Sequence, residues 1–297
     1  MYESWLNEES ADYWRHIRSF EFVRLIAETR VESENVSWLT IGDGRLGLDS
    51  VRIRKHGFRD VLATDISPYL LRISKTRGII NEFKIENAEK LTFKDESFDY
   101  VFCKESLHHF PQPYKALYEA LRCARKGLLL IEPNDAHYSG HIRIDRKGVN
   151  FRGKIVWFAS VLVRKFGYQL SKSGQNMREN FKPSWEASGN FMYPFSKKDF
   201  IKAAYGLNME WIYFKGLNDH YIEGCEFEPA IVEESAIFAE IVSVIKEKDK
   251  KVQENKAEPD LLMTLFLKNP PDEHLTQKLE KHGWQGMQLQ RNPYLTL

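Results

Sequence analysis

WLTIGDGRLGLD, residues 38–49, decides the fold. The apolar run Val36–Ile41 is short, β-branched and stopped by a glycine, which is the pattern of a buried strand. Gly42, Gly44 and Gly47 follow, and a helical stretch over 47–56 begins directly after them. Glycines permit a tight turn and let a ligand lie against backbone, while the start of the helix offers unpaired amides. A second strand, Val61–Thr64, ends at Asp65, 18 positions after Gly47. A carboxylate there can accept two ribose hydroxyls of an adenosine-containing ligand. The plainer alternative is a tight turn followed by an aspartate that caps a helix.

The same alternation runs on either side. Before it, Tyr13, Ile17, Phe20, Val23 and Ala27 fall on one face of a helix over 10–28. After it come a helix over 69–75, strands over 83–86 and 98–103, a helix over 113–124, and the run GLLLIEP, Gly127–Pro133. Strands and helices alternating through short connections mean β-α-β units: an α/β chain with a doubly wound, mostly parallel sheet. The rhythm breaks over 134–194. It resumes with a helix over 196–205 that Ser196 can cap, a strand over 209–214, a helix over 228–250 and a last strand, Leu261–Leu267. That late order suits a final antiparallel strand inserted beside the sixth. The tail from Pro270 reads as polar with scattered aromatics.

Composition narrows the class. The 297 residues are 42% hydrophobic, with 43 basic against 42 acidic side chains, which excludes a globally basic nucleic-acid binder. Three scattered cysteines, Cys103, Cys123 and Cys225, make neither a disulfide framework nor a zinc ribbon. The acidic N-terminus is wrong for a signal peptide, and the longest uncharged apolar run, Ile155–Val163, is far short of a membrane span. A cytoplasmic location is the expectation.

WLTIGDGRLG, ATDIS, ENAEKLTF, FDYVFCKESLHHF and LLLIEP together resemble the class I S-adenosylmethionine-dependent methyltransferases, above all the ubiquinone- and menaquinone-type and small-molecule O-methyltransferase group. The likeness runs from Val36 to Pro133. It implies a Rossmann-like, seven-stranded sheet with an antiparallel last strand, and S-adenosyl-L-methionine as cofactor, leaving as S-adenosyl-L-homocysteine. It also implies roles. Gly42, Asp43 and Gly44, with Gly47 closing the turn, flank the methionine part; Asp65 and Ile66 hold ribose and adenine. Ala88 and Glu89 border the adenine, Lys104 lends backbone near the methionyl group, and Tyr13 folds over the cofactor as part of a lid. Two departures stand out: the third glycine lies one position late, at Gly47, and Thr40 stands where the family has an acid. The implied domains are an N-terminal lid (1–35), a cofactor-binding core (36–133), a largely helical, basic, aromatic insertion after the fifth strand (134–194), the rest of the sheet (195–269) and a tail (270–297).

Methyl transfer is an in-line displacement at a sulfonium, so the protein chiefly aligns the acceptor and excludes water. An alcohol acceptor also loses a proton, and histidine is the natural base near neutral pH. His108 and His109 follow the fourth strand at the carboxyl edge, where parallel sheets bind ligands; adjacent histidines diverge, and His109, further from the strand, is the first candidate. Glu132, ending the fifth strand, can orient a histidine or hold an acceptor hydroxyl, and Glu105 is a second acidic candidate for the acceptor. His137 and His141 lack a third metal ligand, so no metal is expected. Between Arg143 and Lys182 the insertion holds ten basic residues against Asp145 and Glu179. Arg143 and Arg146 are the candidates to meet a phosphate or carboxylate on the acceptor. The bland reading is a solvated cap, and a third is transient membrane-surface contact; nucleic acid ranks low. A likeness to methyltransferases encoded among surface-polysaccharide genes makes a sugar or sugar-linked acceptor the first expectation. The rival classes are a nicotinamide-dependent oxidoreductase and a non-catalytic adenosine-ligand-binding subunit.

Overall fold

Eight strands form the central sheet in the computed structural model, which describes residues 4–29, 36–135, 142–143, 180–181 and 191–294. Strands β1 (Trp38–Ile41), β2 (Val61–Asp65), β3 (Phe83–Ile85), β4 (Phe98–Lys104) and β5 (Ala124–Pro133) lie parallel in the order β3-β2-β1-β4-β5. β6 (Ile142–Arg143) and β7 (Asn180–Phe181) form a separate antiparallel pair. β8 (Trp211–Leu217) and β9 (Leu261–Leu267) complete the core, with β9 inserted between β5 and β8 and antiparallel to both. Every residue of β4 and β9 is buried, as befits strands covered on both faces.

The helices are α1 (Ala11–Ile17), α2 (Glu21–Thr29), α3 (Leu48–Lys55), α4 (Tyr69–Thr76), α5 (Pro113–Cys123), α6 (Lys197–Gly206), α7 (Ala236–Gln253) and α8 (Glu273–Lys281). One face of the sheet packs on α5 and α6 through Leu117, Leu121, Phe200 and Phe266. The other packs on α2, α3 and α8, where Phe20 stacks on Phe102 with centroids 4.9 Å apart. Burying a Leu or Phe is worth roughly 1.5–3 kcal/mol, so these two layers carry most of the stability. A third, smaller core joins α1 to α7 through Ala11, Cys225, Phe238 and Ile241.

Three expectations change. The helix over 10–28 is two helices, because Ser19 donates its hydroxyl to the His16 carbonyl (2.7 Å) and residues 18–20 tighten into a 3-10 turn. The helix expected from 228 begins at 236, where the Ser235 hydroxyl accepts from the Phe238 amide (3.1 Å). The tail is structured: Asp272 caps α8, Leu279 and Trp284 are buried, and β10 (Gln285–Gln288) adds an eighth strand against β8. No helix among the described residues is long and apolar enough to cross a membrane.

Candidate active site

The glycine turn is braced from inside. Gly42 has φ +73°, and a Cβ there would come within 2.5 Å of Ser106 Cβ; the turn fits against the loop after β4 only without a side chain. Asp43 is turned under the loop and is 3% exposed. Its carboxylate accepts from Thr40 Oγ1 (2.8 Å) and from the amides of Asp49 (3.0 Å) and Ser50 (2.9 Å), so it caps α3. Burial raises its carboxyl well above the ordinary range. The Thr40 that replaces the family's acid is therefore the partner of Asp43.

Asp65 stands at the end of β2 against the same turn, where a Cβ on Gly44 would meet its Oδ2 at 2.7 Å. It accepts from the Ser67 amide at 2.7 Å and also from the Gly44 amide. Burial raises its pKa, and those two amides oppose the rise. Next to it, Ile66 is 69% exposed, an apolar side chain open to solvent one residue beyond the acid. The Glu86 amide donates to the Asp65 carbonyl (3.1 Å), which ties this shelf to the end of β3. Ala88 is buried there, and Glu89 Oε1 accepts from the Gln112 amide (2.8 Å).

The loop after β4 is built around Glu132. Glu105 continues the ladder with its amide on the Ile131 carbonyl (2.7 Å), then takes φ +47°, a left-handed conformation that non-glycine residues rarely adopt. The chain next winds into a 3-10 turn, Leu107–His109. Glu132 is completely buried, and its carboxylate collects the amides of Ser106 (3.2 Å), Leu107 (2.9 Å) and His108 (3.4 Å), together with His108 Nδ1 at 2.6 Å. An ionised carboxylate only accepts, so the Nδ1 of His108 carries the proton and Nε2 is the ring nitrogen left to address a ligand. The His109 ring lies 3.8 Å from that of His108, centroid to centroid, and is exposed. The His108 ring is thus oriented by a buried carboxylate.

Gly42, Asp43, Lys104, Glu105, His108 and His109 line one cleft of about 390 Å³. Asp65, Ile66, Ala88 and Glu89 form the shelf beside it, and Glu132 lies behind His108. Tyr13 does not itself line the cleft; its ring lies 5.7 Å from the guanidinium of Arg52, which does, and 5.3 Å from Lys55 Nζ. Arg143 is described only through its backbone, paired in β6; Arg146, His137 and His141 lie outside the described residues. Sequence reasoning missed His16 of α1 and Arg45 of the glycine turn, which also line the cleft. The one available signal was the Asp12/His16 spacing of four, which puts both side chains on one helix face. Cys103 is buried in β4, where burial pushes its thiol up, as suits a packed residue. A larger groove of about 730 Å³ runs between α2, β8 and α7, but its charges are spoken for: Lys215 Nζ is 2.7 Å from both oxygens of Glu21.

Residues 39–131 match a family described as a methyltransferase domain. The chain is 32% identical over 165 residues to the ubiquinone/menaquinone biosynthesis C-methyltransferase UbiE of Zymomonas mobilis, covering 53% of this chain and 62% of that one. It is 36% identical over 78 residues to the demethylmenaquinone methyltransferase of Renibacterium salmoninarum, covering 26% and 33%. The matches thus span less than two thirds of either curated relative. Among solved structures, the YcgJ protein of Bacillus subtilis is similar at TM-score 0.49 and 14% identity, over 84% of this chain and 99% of that one. A methyltransferase from Methanosarcina mazei is similar at TM-score 0.46 and 16% identity, over 83% and 98%.

Proposed function

We propose that this chain, whose residues 39–131 match a methyltransferase domain, is a class I S-adenosylmethionine-dependent methyltransferase that methylates an oxygen of a small polar acceptor, with His108 as the base and Glu132 as its orienting partner. The observation that carries the proposal is the 2.6 Å contact between Nδ1 of His108, which lines the cleft, and Glu132 buried behind it. The residues fit the cofactor. The turn at Gly42 and Gly44 admits no Cβ, Asp65 offers a carboxylate for ribose, Ile66 offers an apolar surface for adenine, and Arg45 Nε is a buried donor without a partner among the described residues. When bound, S-adenosylmethionine supplies a methyl group activated on a sulfonium and leaves as S-adenosylhomocysteine.

The chain's own part is then alignment and proton removal. Glu132 fixes the His108 tautomer, so that Nε2 bears the lone pair; Nε2 takes the hydroxyl proton as the oxygen attacks. The buried walls of the loop after β4 keep water from competing for the methyl group. The ten basic residues between Arg143 and Lys182 support an anionic or sugar-linked acceptor. A second reading rests on the name of the Zymomonas relative: C-methylation of a quinol-type ring. There the same base takes a ring-hydroxyl proton while the ring carbon attacks, and that carbon then sheds its own proton.

The test is transfer of labelled methyl from S-adenosylmethionine to a panel of sugar phosphates, hydroxy acids and quinols, with wild type and His108→Ala compared. General-base assistance is worth roughly 10²–10⁴-fold, so the variant should lose that factor while binding S-adenosylhomocysteine normally. A normal rate in His108→Ala, or a larger loss in His109→Ala, overturns the assignment of the base. Tight binding of a nicotinamide dinucleotide in place of S-adenosylhomocysteine overturns the cofactor reading.

A further inference from the structure

Two cations of the cleft are held in place from the N-terminal helix. Lys104 closes β4, and its side chain is 6% exposed. Its ammonium lies 3.1 Å from His16 Nδ1 and is paired with Glu105 Oε2. Arg45 NH2 lies 3.1 Å from Asp12 Oδ2 and NH1 lies 3.1 Å from His16 Nε2. Lys104 Nζ and Arg45 NH1 are both donors only, so a neutral His16 ring accepts from just one of them; in the tautomer that accepts from Lys104 at Nδ1, the Nε2 proton faces Asp12 Oδ1 at 3.4 Å. Asp12 favours that tautomer against the pull of Arg45, and through it His16 holds the ammonium of Lys104. Each cation keeps something in reserve: Lys104 has a third N–H, and Arg45 Nε is buried without a partner among the described residues.

We propose that His16 is a positioning residue, which aims the Lys104 ammonium, beside Arg45, at the carboxylate of the amino-acid end of the bound cofactor. The inference rests on the cofactor reading above and goes beyond it, because it gives α1 a definite task. The charged groups around the imidazole are Asp12 on its own helix, Arg45 on the glycine turn, Arg52 on α3, and Lys104 with Glu105 at the end of β4. Burial lowers the pKa of His16, Lys104 lowers it further, and Asp12 opposes both. The ring is therefore neutral at neutral pH and takes a proton only below the ordinary histidine value. A protonated His16 has no lone pair for Lys104, so the ammonium keeps only its pairing with Glu105 as pH falls through that range.

The experiment is titration calorimetry with two ligands, S-adenosylhomocysteine and 5′-methylthioadenosine, which share the adenosine but differ in the amino-acid end. His16→Ala should weaken S-adenosylhomocysteine by roughly 10- to 100-fold, the equivalent of one hydrogen bond to a charged group, and leave methylthioadenosine unchanged. His16→Gln can accept from Lys104 and donate to Asp12 without titrating. It should restore the affinity and abolish the loss that wild type shows below about pH 6.5. A melting curve on each variant confirms that it is folded. Wild-type affinity for S-adenosylhomocysteine in both variants overturns the proposal, and so does an equal loss for both ligands in His16→Ala. Wild type that binds neither ligand overturns the cofactor reading, and the proposal with it.

Discussion

Replacing Glu132 by glutamine keeps the shape of the side chain and removes one acceptor atom from a site that needs two. In the native loop one oxygen takes the Ser106 and Leu107 amides and the other takes the His108 amide and Nδ1. A glutamine that keeps its oxygen on Ser106 and Leu107 points its own N–H groups at His108. The ring must then present a lone pair at Nδ1 and move its proton to Nε2, the tautomer that cannot act as a base toward the cleft. Hydrogen bonds to a charged group are worth about 1.5–3 kcal/mol each, and the one from Nδ1 is short and fully buried, so about 3 kcal/mol is lost. For a chain of this size that lowers the melting midpoint by roughly 6 °C. Long-range proton–nitrogen spectra of the imidazole ring report which nitrogen carries the proton. The expected result is a switch from the Nδ1–H to the Nε2–H form, with methyl transfer down roughly 10²-fold or more. An unchanged tautomer with an unchanged melting midpoint refutes the orienting role of Glu132.

Other perturbations separate the parts of the site. Asp65→Ala should weaken S-adenosylhomocysteine by about 1.5–3 kcal/mol in calorimetry, since the ribose loses a charged acceptor. Burial raises the Asp65 pKa, so wild-type affinity should also decline at a pH above the free aspartate value of ~3.9, and that decline should vanish in the variant. Gly44→Ala puts a methyl group 2.7 Å from Asp65 Oδ2; cofactor affinity should fall while circular dichroism shows the same secondary structure. Burial opposes ionisation of Glu105, but Lys104 outweighs it and holds the carboxyl at about 2. That contribution is present above the ordinary glutamate pKa and lost as pH falls through about 2, so the destabilisation of Glu105→Gln in thermal melts should shrink steadily on acidification.

The parts of this molecule that were legible in its sequence are those where local pattern and tertiary role agree. Val36–Ile41 and Leu261–Leu267 are largely apolar, interrupted only by Ser37, Thr40 and Thr264, because they are covered on both faces, and burial on both faces needs no partner to be recognised. Glycine at 42 and an acid at 65 are likewise readable, since backbone geometry and strand ends dictate them. β10 was not readable: Gln285–Gln288 is exposed along its whole length, so no alternation marks it, and only its pairing with β8 makes it a strand. His16 was hidden for a different reason. Its position on an amphipathic helix says which face it occupies, but the direction of that helix over the glycine turn comes from contacts with residues 200 positions away. The choice between His108 and His109 turned on Glu132, which lies 24 residues downstream and arrives beside His108 through β5 pairing with β4.

That separation along the chain has a consequence for biosynthesis. α1 is clamped to the far end of the sequence: the Ala11 amide donates to the Glu228 carbonyl, the Ala230 amide to Glu9, and Arg15 to Asp219, 204 residues later. At roughly 5–20 residues per second, a ribosome delivers those partners some 10–40 s after the first helix has emerged. Through that interval β1, β2 and the glycine turn between them are already synthesised, whereas the helix that carries His16 lacks its partners at Asp219, Glu228 and Ala230. Contacts of such long range also slow folding, because loop closure precedes any gain from them. The nascent protein therefore has the residues of the glycine turn and the Asp65 shelf early and the full clamp on α1 last.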